Sequence, residues 1–286
     1  MIKILAAIVL YRLKPEESVA FRSFEDALQQ VPELRDLYRL DIFDNSPEAH
    51  QPKSKYVNRY IHDGTNPGLA KPYNSALQQA QAAGVPWLMI LDQDTSVTLA
   101  YLQEAARLSA EKAELQEIFA IVPKLLQDGV VSSPHTLLGL RNTRPVPRDM
   151  VGLAKEELHV FNSGSVIRVA ALTEIGGFPL HYPLDFLDHA TFRTLQRQCS
   201  TQRIFVMVSC LDHDLSIETI MRNRERDVPA RLYQVFSTEA RFYREMGDPS
   251  ERILRRLRLL FFVFENVGKG SFGRAGMFLR LALRLR

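Results

Sequence analysis

The stretch Pro86-Trp87-Leu88-Met89-Ile90-Leu91-Asp92-Gln93-Asp94-Thr95 decides the fold. Five apolar residues, Trp87 to Leu91, run straight into two carboxylates one residue apart. Such a run, bounded by a proline and by acids, reads as a strand buried on both faces. Carboxylates at the carboxyl end of such a strand lie where open α/β sheets take their ligands. Hard oxygen donors at that place suit a Mg²⁺ or Mn²⁺ ion that also holds a diphosphate. The competing reading is local: Asp94 and Thr95 cap the helix that follows. The surrounding chain has to choose between them.

Working outward, the pattern is strand, helix, strand with short connections. Ile2 to Leu10 reads as a first, central strand. Pro15 opens a helix with Glu16 and Glu17 in its first turn and an apolar stripe of Val19, Phe24, Leu28 and Val31. Leu40 to Asp44 is a short strand ending in the turn Asp44-Asn45-Ser46-Pro47, and Tyr56 to Ile61 is a third strand. A helix from about Lys71 points Ala76, Leu77, Ala80 and Ala83 inward and stops at Gly84. Beyond the opening strand come a helix through Leu102 and Leu108 and the strand Ile118 to Val122. This alternation predicts a doubly wound, mostly parallel α/β sheet. Ser132 to Leu158, rich in proline, reads as an irregular, mobile loop near the site. His159 to Val169 resumes a strand broken at Asn162 to Ser165. A helix over about Leu187 to Arg197 and a late strand over Ile204 to Cys210 follow, and the chain is helical from Pro229 onward. The expected division is an α/β domain over 1–228 and a helical extension over 229–286.

Composition narrows the partners. The 286 residues carry a net charge of only +3, but residues 250–286 carry +7 and the preceding 249 carry −4. A nearly neutral body with a basic, apolar tail points to an anionic surface rather than to nucleic acid. Cys199 and Cys210 are too few for a disulfide framework and wrongly spaced for zinc, so a reduced compartment is expected. The opening Met1 to Leu5 is too short in its apolar run for a secretion signal, and no stretch is long and apolar enough to span a bilayer. A cytoplasmic protein, peripheral on the inner membrane face, fits these features. Two phosphate cradles are missing. Tyr11 to Pro15 contains no glycine after the first strand, and no Gly-x-x-x-x-Gly-Lys-Ser/Thr occurs. A nucleotide held by this sheet therefore needs its diphosphate neutralised by an ion on Asp92 and Asp94.

Several separated segments then resemble the family 2 inverting glycosyltransferases of GT-A fold, most closely their rhamnosyltransferase-like branch. They are Ile8-Val9-Leu10-Tyr11, Asp44-Asn45-Ser46, Asn66-Pro67-Gly68-Leu69-Ala70 with Asn74, Leu91 to Thr95, Asn162-Ser163-Gly164-Ser165, Ile175-Gly176-Gly177-Phe178, Leu184 to His189 and Leu211-Asp212-His213. The ordered series spans about residues 2–245. The resemblance implies a dTDP- or UDP-sugar donor, a divalent cation (Mg²⁺ or Mn²⁺), and a glycan or lipid-linked saccharide acceptor. It implies that Asp44 accepts a hydrogen bond from a pyrimidine ring, a role compatible with its place in an Asx turn. Asp92 would face the ribose and the ion's waters, and Asp94 would ligate the ion. His213 would be a further metal ligand or a diphosphate contact. Tyr11, Asn66, Gly68, Lys71, Asn74 and Arg222 complete the expected donor contacts, with plain turn, packing or solvated roles open for each. The base falls at Asp188, with Asp185 supporting it or acting in its stead. Both are read as lying on one face at the start of a helix. The pattern departs here, since Ala190 stands where an acid is usual and Arg193 comes one position early.

The Gln-x-x-Arg-Trp signature of processive synthases is missing, so transfer of one sugar is expected, first of all L-rhamnose from its dTDP donor. A UDP-hexose or UDP-galactofuranose donor is the alternative within the class. A nucleotidyltransferase is the alternative outside it, although Tyr11 to Pro15 lacks the glycine- and lysine-rich loop such an enzyme wants. In the tail, Ile253, Leu257, Leu260, Phe261 and Phe264 form one helical stripe among Arg252, Arg255, Arg256 and Arg258. Phe278, Leu281, Leu285 and their arginines repeat the theme. Membrane-surface binding, packing on the catalytic domain and an oligomer interface all fit this pattern.

Overall fold

The computed structural model describes residues 2–112, 117–138, 142–199, 201, 203–213 and 230–285. They fall into two compact units, Met1–Leu137 with Arg144–Asp214, and Leu138–Thr143 with Leu215–Arg286.

The first unit is built on a mixed sheet. Its strands are β1 (Ile4–Leu10), β2 (Tyr38–Asp44), β3 (Val57–His62), β4 (Trp87–Asp92), β5 (Ile118–Gln127), β6 (Val130–Ser133), β7 (His135–Leu138), β8 (Asn142–Pro145), β9 (Gly152–Leu153), β10 (Leu158–His159), β11 (Ser165–Arg168) and β12 (Arg203–Asp212). The main sheet runs β3-β2-β1-β4-β11-β5-β12-β9, with β6 beside β5; β10-β7-β8 form a small second sheet. β1, β2, β3 and β4 are mutually parallel, as are β5 and β12. β11 enters antiparallel between β4 and β5. The opening stretch is the strand expected of it: Trp87 to Leu91 are all fully buried.

The helices of this unit are α1 (Val19–Gln30), α2 (Ala70–Ala82), α3 (Leu99–Glu111), α4 (Val169–Glu174) and α5 (Leu187–Gln198). Pro15 opens only a 3-10 turn. The α-helix starts after Ser18, whose hydroxyl accepts from the Phe21 amide at 3.2 Å. Its buried stripe is Ala20, Phe21, Phe24, Ala27 and Leu28, while Val19 is exposed. In α2 the inward set includes Tyr73, which the alanine pattern hid, whereas Ala83 is exposed. Ser132 to Leu158 is not one irregular loop. It supplies the short strands β7 to β10, and its backbone is paired where prolines suggested it would not be.

The second unit holds α6 (Ala230–Met246), α7 (Pro249–Gly268) and α8 (Phe272–Arg284). Asp248 and Glu251 form a reciprocal capping box at the start of α7. Phe236, Phe262 and Phe278 meet at ring centroids 5.0–5.9 Å apart and make the unit's aromatic centre.

Candidate active site

Parallel pairing brings the carboxyl ends of the strands together. Asp44 lies opposite Leu10 and Asp92 opposite Val9, so both acids reach the same edge of the sheet. His213 follows β12 and is pinned there by its amide, which donates to the Leu126 carbonyl at 2.9 Å.

The Asp92-Gln93-Asp94-Thr95 end is held by more groups than a helix cap needs. The Tyr73 hydroxyl donates to Asp92 Oδ1 at 3.1 Å, and the Asp92 amide donates to Ser163 Oγ at 3.1 Å. Thr95, fully buried, shares a short hydrogen bond with Ser163 and another with His213 Nδ1 at 2.9 Å. Gln93 accepts from the Tyr11 amide at 2.9 Å through its side chain and from the Ser18 hydroxyl at 2.8 Å through its carbonyl. The cap of α3 is instead Thr98, which accepts from the Tyr101 amide at 3.1 Å. The local reading of Asp94 and Thr95 therefore fails. Burial raises the Asp92 carboxyl above its ordinary range. His213 and the Tyr73 hydrogen bond pull it down, and Asp188 pushes it up.

Asp188 belongs to the same cluster. It sits in the first turn of α5, with Oδ1 accepting from the His189 amide at 2.8 Å. Part of its surface is still open, yet its carboxyl is ringed by protein. Burial drives it up to about 7, the backbone amides oppose the rise, Asp185 adds to it and His213 reduces it. The buried Tyr73 hydroxyl is raised by burial and then by Asp92, Asp188 and Asp94, which places one hydroxyl in the field of all three acids. The two acidic motifs, almost a hundred residues apart in sequence, thus form one site. Asp185 does not share the helix face expected of it. The helix begins at Leu187, and Phe186 before it adopts φ 60°, a left-handed conformation costly for a bulky residue. That kink puts Asp185 outside the helix and leaves Asp188 alone on it. Arg193, the displaced arginine of the motif, is buried and paired with Glu157 at 3.0 Å.

The motif glycines and amides turn out to hold these pieces together. Gly68 has φ 79°, and a β-carbon there would lie 2.3 Å from the Pro183 carbonyl oxygen. That same oxygen accepts from the Leu69 amide at 2.6 Å, so the start of α2 is capped by the loop that leads to Asp188. The Asn45 side chain donates to the Gly68 carbonyl at 2.8 Å. Asn74 grips Phe178 at both ends of its peptide, donating to its carbonyl and accepting from its amide, each at 2.8 Å. Gly177 is small because a β-carbon would meet Asn74 Oδ1 at 2.3 Å. Gly68 and Asn74 therefore contact protein where donor contacts were expected. Asn74→Ala removes two partly buried hydrogen bonds and strands a peptide, so we expect a loss of about 1–3 kcal/mol. Urea unfolding of the variant checks this, and a change within error would remove the assignment.

Of the other expected donor contacts, Asp44 and Lys71 are also engaged with protein. Asp44 is fully buried: Oδ1 accepts from the Ser46 amide at 2.9 Å, and Oδ2 from the His50 amide at 3.0 Å and the Tyr60 hydroxyl at 2.7 Å. Burial raises this carboxyl, but the bonds from Ser46, Tyr60 and His50 outweigh it and the net shift is downward. Tyr60 is pushed up to about 12, first by burial and then by its bond to Asp44. The Asx turn is thus realised. Lys71 is exposed and paired with Asp63 at 2.8 Å. Asn66 adopts φ 48° in the turn before α2. Tyr11 is 37% exposed beside this edge, with Arg12 stacked 5.1 Å over its ring. Arg222 lies outside the described residues.

Sequence reasoning missed Tyr73, Ser163, Gln93 and the pair His159 and His189. The histidine Nδ1 atoms are 3.1 Å apart, and the His189 ring is boxed by Phe161 and Phe186. The signal was position alone: Gln93, Ser163 and His189 lie within the motif segments, Tyr73 stands beside Asn74, and His159 carried no signal.

Asp94 Oδ1 lies 3.7 Å from His213 Nδ1, a nitrogen already bonded to Thr95, so the carboxylate and the imidazole ring stand side by side at this edge. Among the described residues no three His, Cys, Asp or Glu side chains group to hold a metal by themselves, so the expected Asp92, Asp94, His213 set is not a closed cage. Two protein donors nevertheless suit Mg²⁺ or Mn²⁺, which keep waters and take substrate phosphate oxygens.

A mixed, mostly parallel sheet with acids gathered at its carboxyl edge gives the chain a GT-A fold. No protein-family model and no curated protein matches the sequence. Among solved structures it is similar to residues 1–349 of S. aureus TarS, with 16% identity, TM-score 0.54 and coverage of 98% of this chain and 81% of that one. The same protein in complex with UDP-GlcNAc aligns at 15% identity and TM-score 0.53, over 98% and 82%. GalNAc-T7 with UDP, GalNAc and Mn²⁺ aligns at 15% identity and TM-score 0.54, over 85% of this chain and 51% of that one.

Proposed function

We propose that the chain is an inverting, cation-dependent glycosyltransferase that moves one sugar from a nucleoside diphosphate donor to a hydroxyl of a glycan or lipid-linked saccharide. The observation carrying this reading is the joint cluster of Asp92, Asp94, Asp188 and His213 around Tyr73. In it burial raises Asp188 to about 7 and raises Asp92 as well, and Tyr73 lies in the field of all three acids. Asp188 takes the acceptor proton as the hydroxyl oxygen attacks the anomeric carbon. The bond to the diphosphate breaks, the diphosphate leaves on the opposite face, and the configuration inverts. A base titrating near 7 is poised for that task at neutral pH. Asp185 sits beside it as a carboxylate that keeps its proton affinity high. Asp94 and the His213 ring would hold the cation, which when bound would offset the charge of the departing diphosphate. Tyr73 and Ser163 fix Asp92 for the ribose side, and Tyr11 lines the base side of the edge. Asp44 shapes that side through its turn. Asn66 and Lys71 flank the donor at the start of α2, and Arg222 would join them.

The ordered motif series favours dTDP-L-rhamnose as donor. A second reading, a UDP-sugar donor, is favoured by the likeness to TarS, which was crystallised with UDP-GlcNAc. A donor panel with Mg²⁺ or Mn²⁺, scored for transfer and donor hydrolysis, separates the two. EDTA and Asp94→Asn are each expected to lower the rate by about 10²-fold or more. Unchanged turnover in EDTA would remove the cation from the proposal, and a silent panel would remove the activity.

A further inference from the structure

We infer that the outer apolar stripe of the helical unit is a docking surface for an anionic phospholipid bilayer. In α7, Ile253, Leu257, Phe261 and Phe264 are 59%, 57%, 64% and 75% exposed. Their spacing puts them on one face of the helix. This is not the face that builds the unit's own core, because Leu259 is buried and Phe262 packs on Phe236 and Phe278 from the other side. α8 repeats the arrangement. Ala275, Met277, Phe278 and Leu281 are buried, whereas Phe272, Leu279 and Leu283 are 71%, 42% and 47% exposed. Each helix thus has a satisfied inner face and a second, uncovered apolar face. An apolar surface of that extent marks an interaction site.

Charge selects the partner. Residues 250–286 carry +7. Of their two acids, Glu251 is spent on the capping box and Glu265 pairs with Lys269. Exposed Arg256 borders the α7 stripe, while Arg258 turns to Glu239 at 3.8 Å, and exposed Arg280 and Arg284 border the stripe of α8. A second copy would bring the same positive charge against this one, which disfavours self-association. An anionic headgroup layer meets both features, taking apolar side chains at the acyl boundary and arginines at the phosphates. No described helix is long and apolar enough to cross a membrane, so this surface lies on the bilayer.

The test uses the full chain in vesicle flotation, with phosphatidylcholine alone and with phosphatidylcholine plus phosphatidylglycerol, at low and high salt. Binding is expected only to the anionic vesicles and to weaken with salt. Phe261→Ser with Phe264→Ser, both at exposed positions, should lower it by about tenfold or more, as should Arg256→Glu with Arg280→Glu. Donor turnover with a water-soluble acceptor should stay at the wild-type level in both variants, so the vesicle result stands apart from the transferase proposal. No binding to anionic vesicles, or binding indifferent to both variants, would overturn the inference. So would light scattering that showed a dimer which the phenylalanine variant splits.

Discussion

Asp188→Asn is expected to lower kcat/KM for transfer by about 10²–10⁴-fold, the usual worth of a general base. The same variant should be more stable than the wild type at pH 8. An unfolded aspartate titrates near about 3.9, whereas Asp188 in the fold is raised to about 7, chiefly by burial. Between those values the folded state holds the extra proton, so stability falls as pH rises through the window and the full penalty is present above 7. Asparagine keeps the shape without the charge. The gain at pH 8 is of order 1–3 kcal/mol once partial exposure is allowed for, and it vanishes below about pH 4. Wild-type kcat/KM should rise with pH to a plateau above about 7, as the carboxyl loses its proton. Urea titrations at pH 4 and pH 8, with a pH–rate profile, read all three. A variant that kept its rate would move the base to Asp185. A variant that lost its rate without the pH-dependent gain in stability would show that the carboxyl is not raised.

The strand framework was legible because its cause is local. Buried parallel strands need continuous apolar runs, and Ile4 to Leu10 and Trp87 to Leu91 supply them. The acids were legible because each ends such a run or opens a helix. The antiparallel insertion of β11 was not, since pairing between Ser165–Arg168 and two distant strands depends on contacts that no window of sequence contains. Tyr73 escaped for a similar reason. Its ring reads as helix filler, and only the assembled site reveals that its hydroxyl answers Asp92. Gly68 and Asn74 were found by position, and in the fold each also clasps a protein neighbour, Pro183 and Phe178. A motif marks a place where the backbone must come close or an amide must bridge. It does not say whether the thing approached is a nucleotide or another part of the chain.

Gly68 gives that distinction its strongest test. At φ 79° any side chain is strained, and a β-carbon would also sit 2.3 Å from the Pro183 carbonyl oxygen, a backbone atom with no rotamer to yield. Gly68→Ala must therefore push the two segments apart. The Leu69 and Ala70 amides then lose the acceptor they share, and the start of α2 is left with unpaired donors. Left-handed strain of about 1–2 kcal/mol and the lost cap of about 1 kcal/mol add to the displacement, for an expected total of about 3–5 kcal/mol. The displaced loop is the one that carries Asp185 and Phe186 into Asp188, so kcat should fall even where the variant remains folded. Gly84→Ala is the internal control. Its φ of 64° imposes the same backbone strain, but nothing lies within 4 Å of its β-carbon. It should cost only about 1 kcal/mol and leave turnover intact. Equal unfolding midpoints for the two variants would show that the contact with Pro183 does not constrain the loop. A large difference in stability with no difference in kcat would show that the loop reaches its catalytic shape without the clasp.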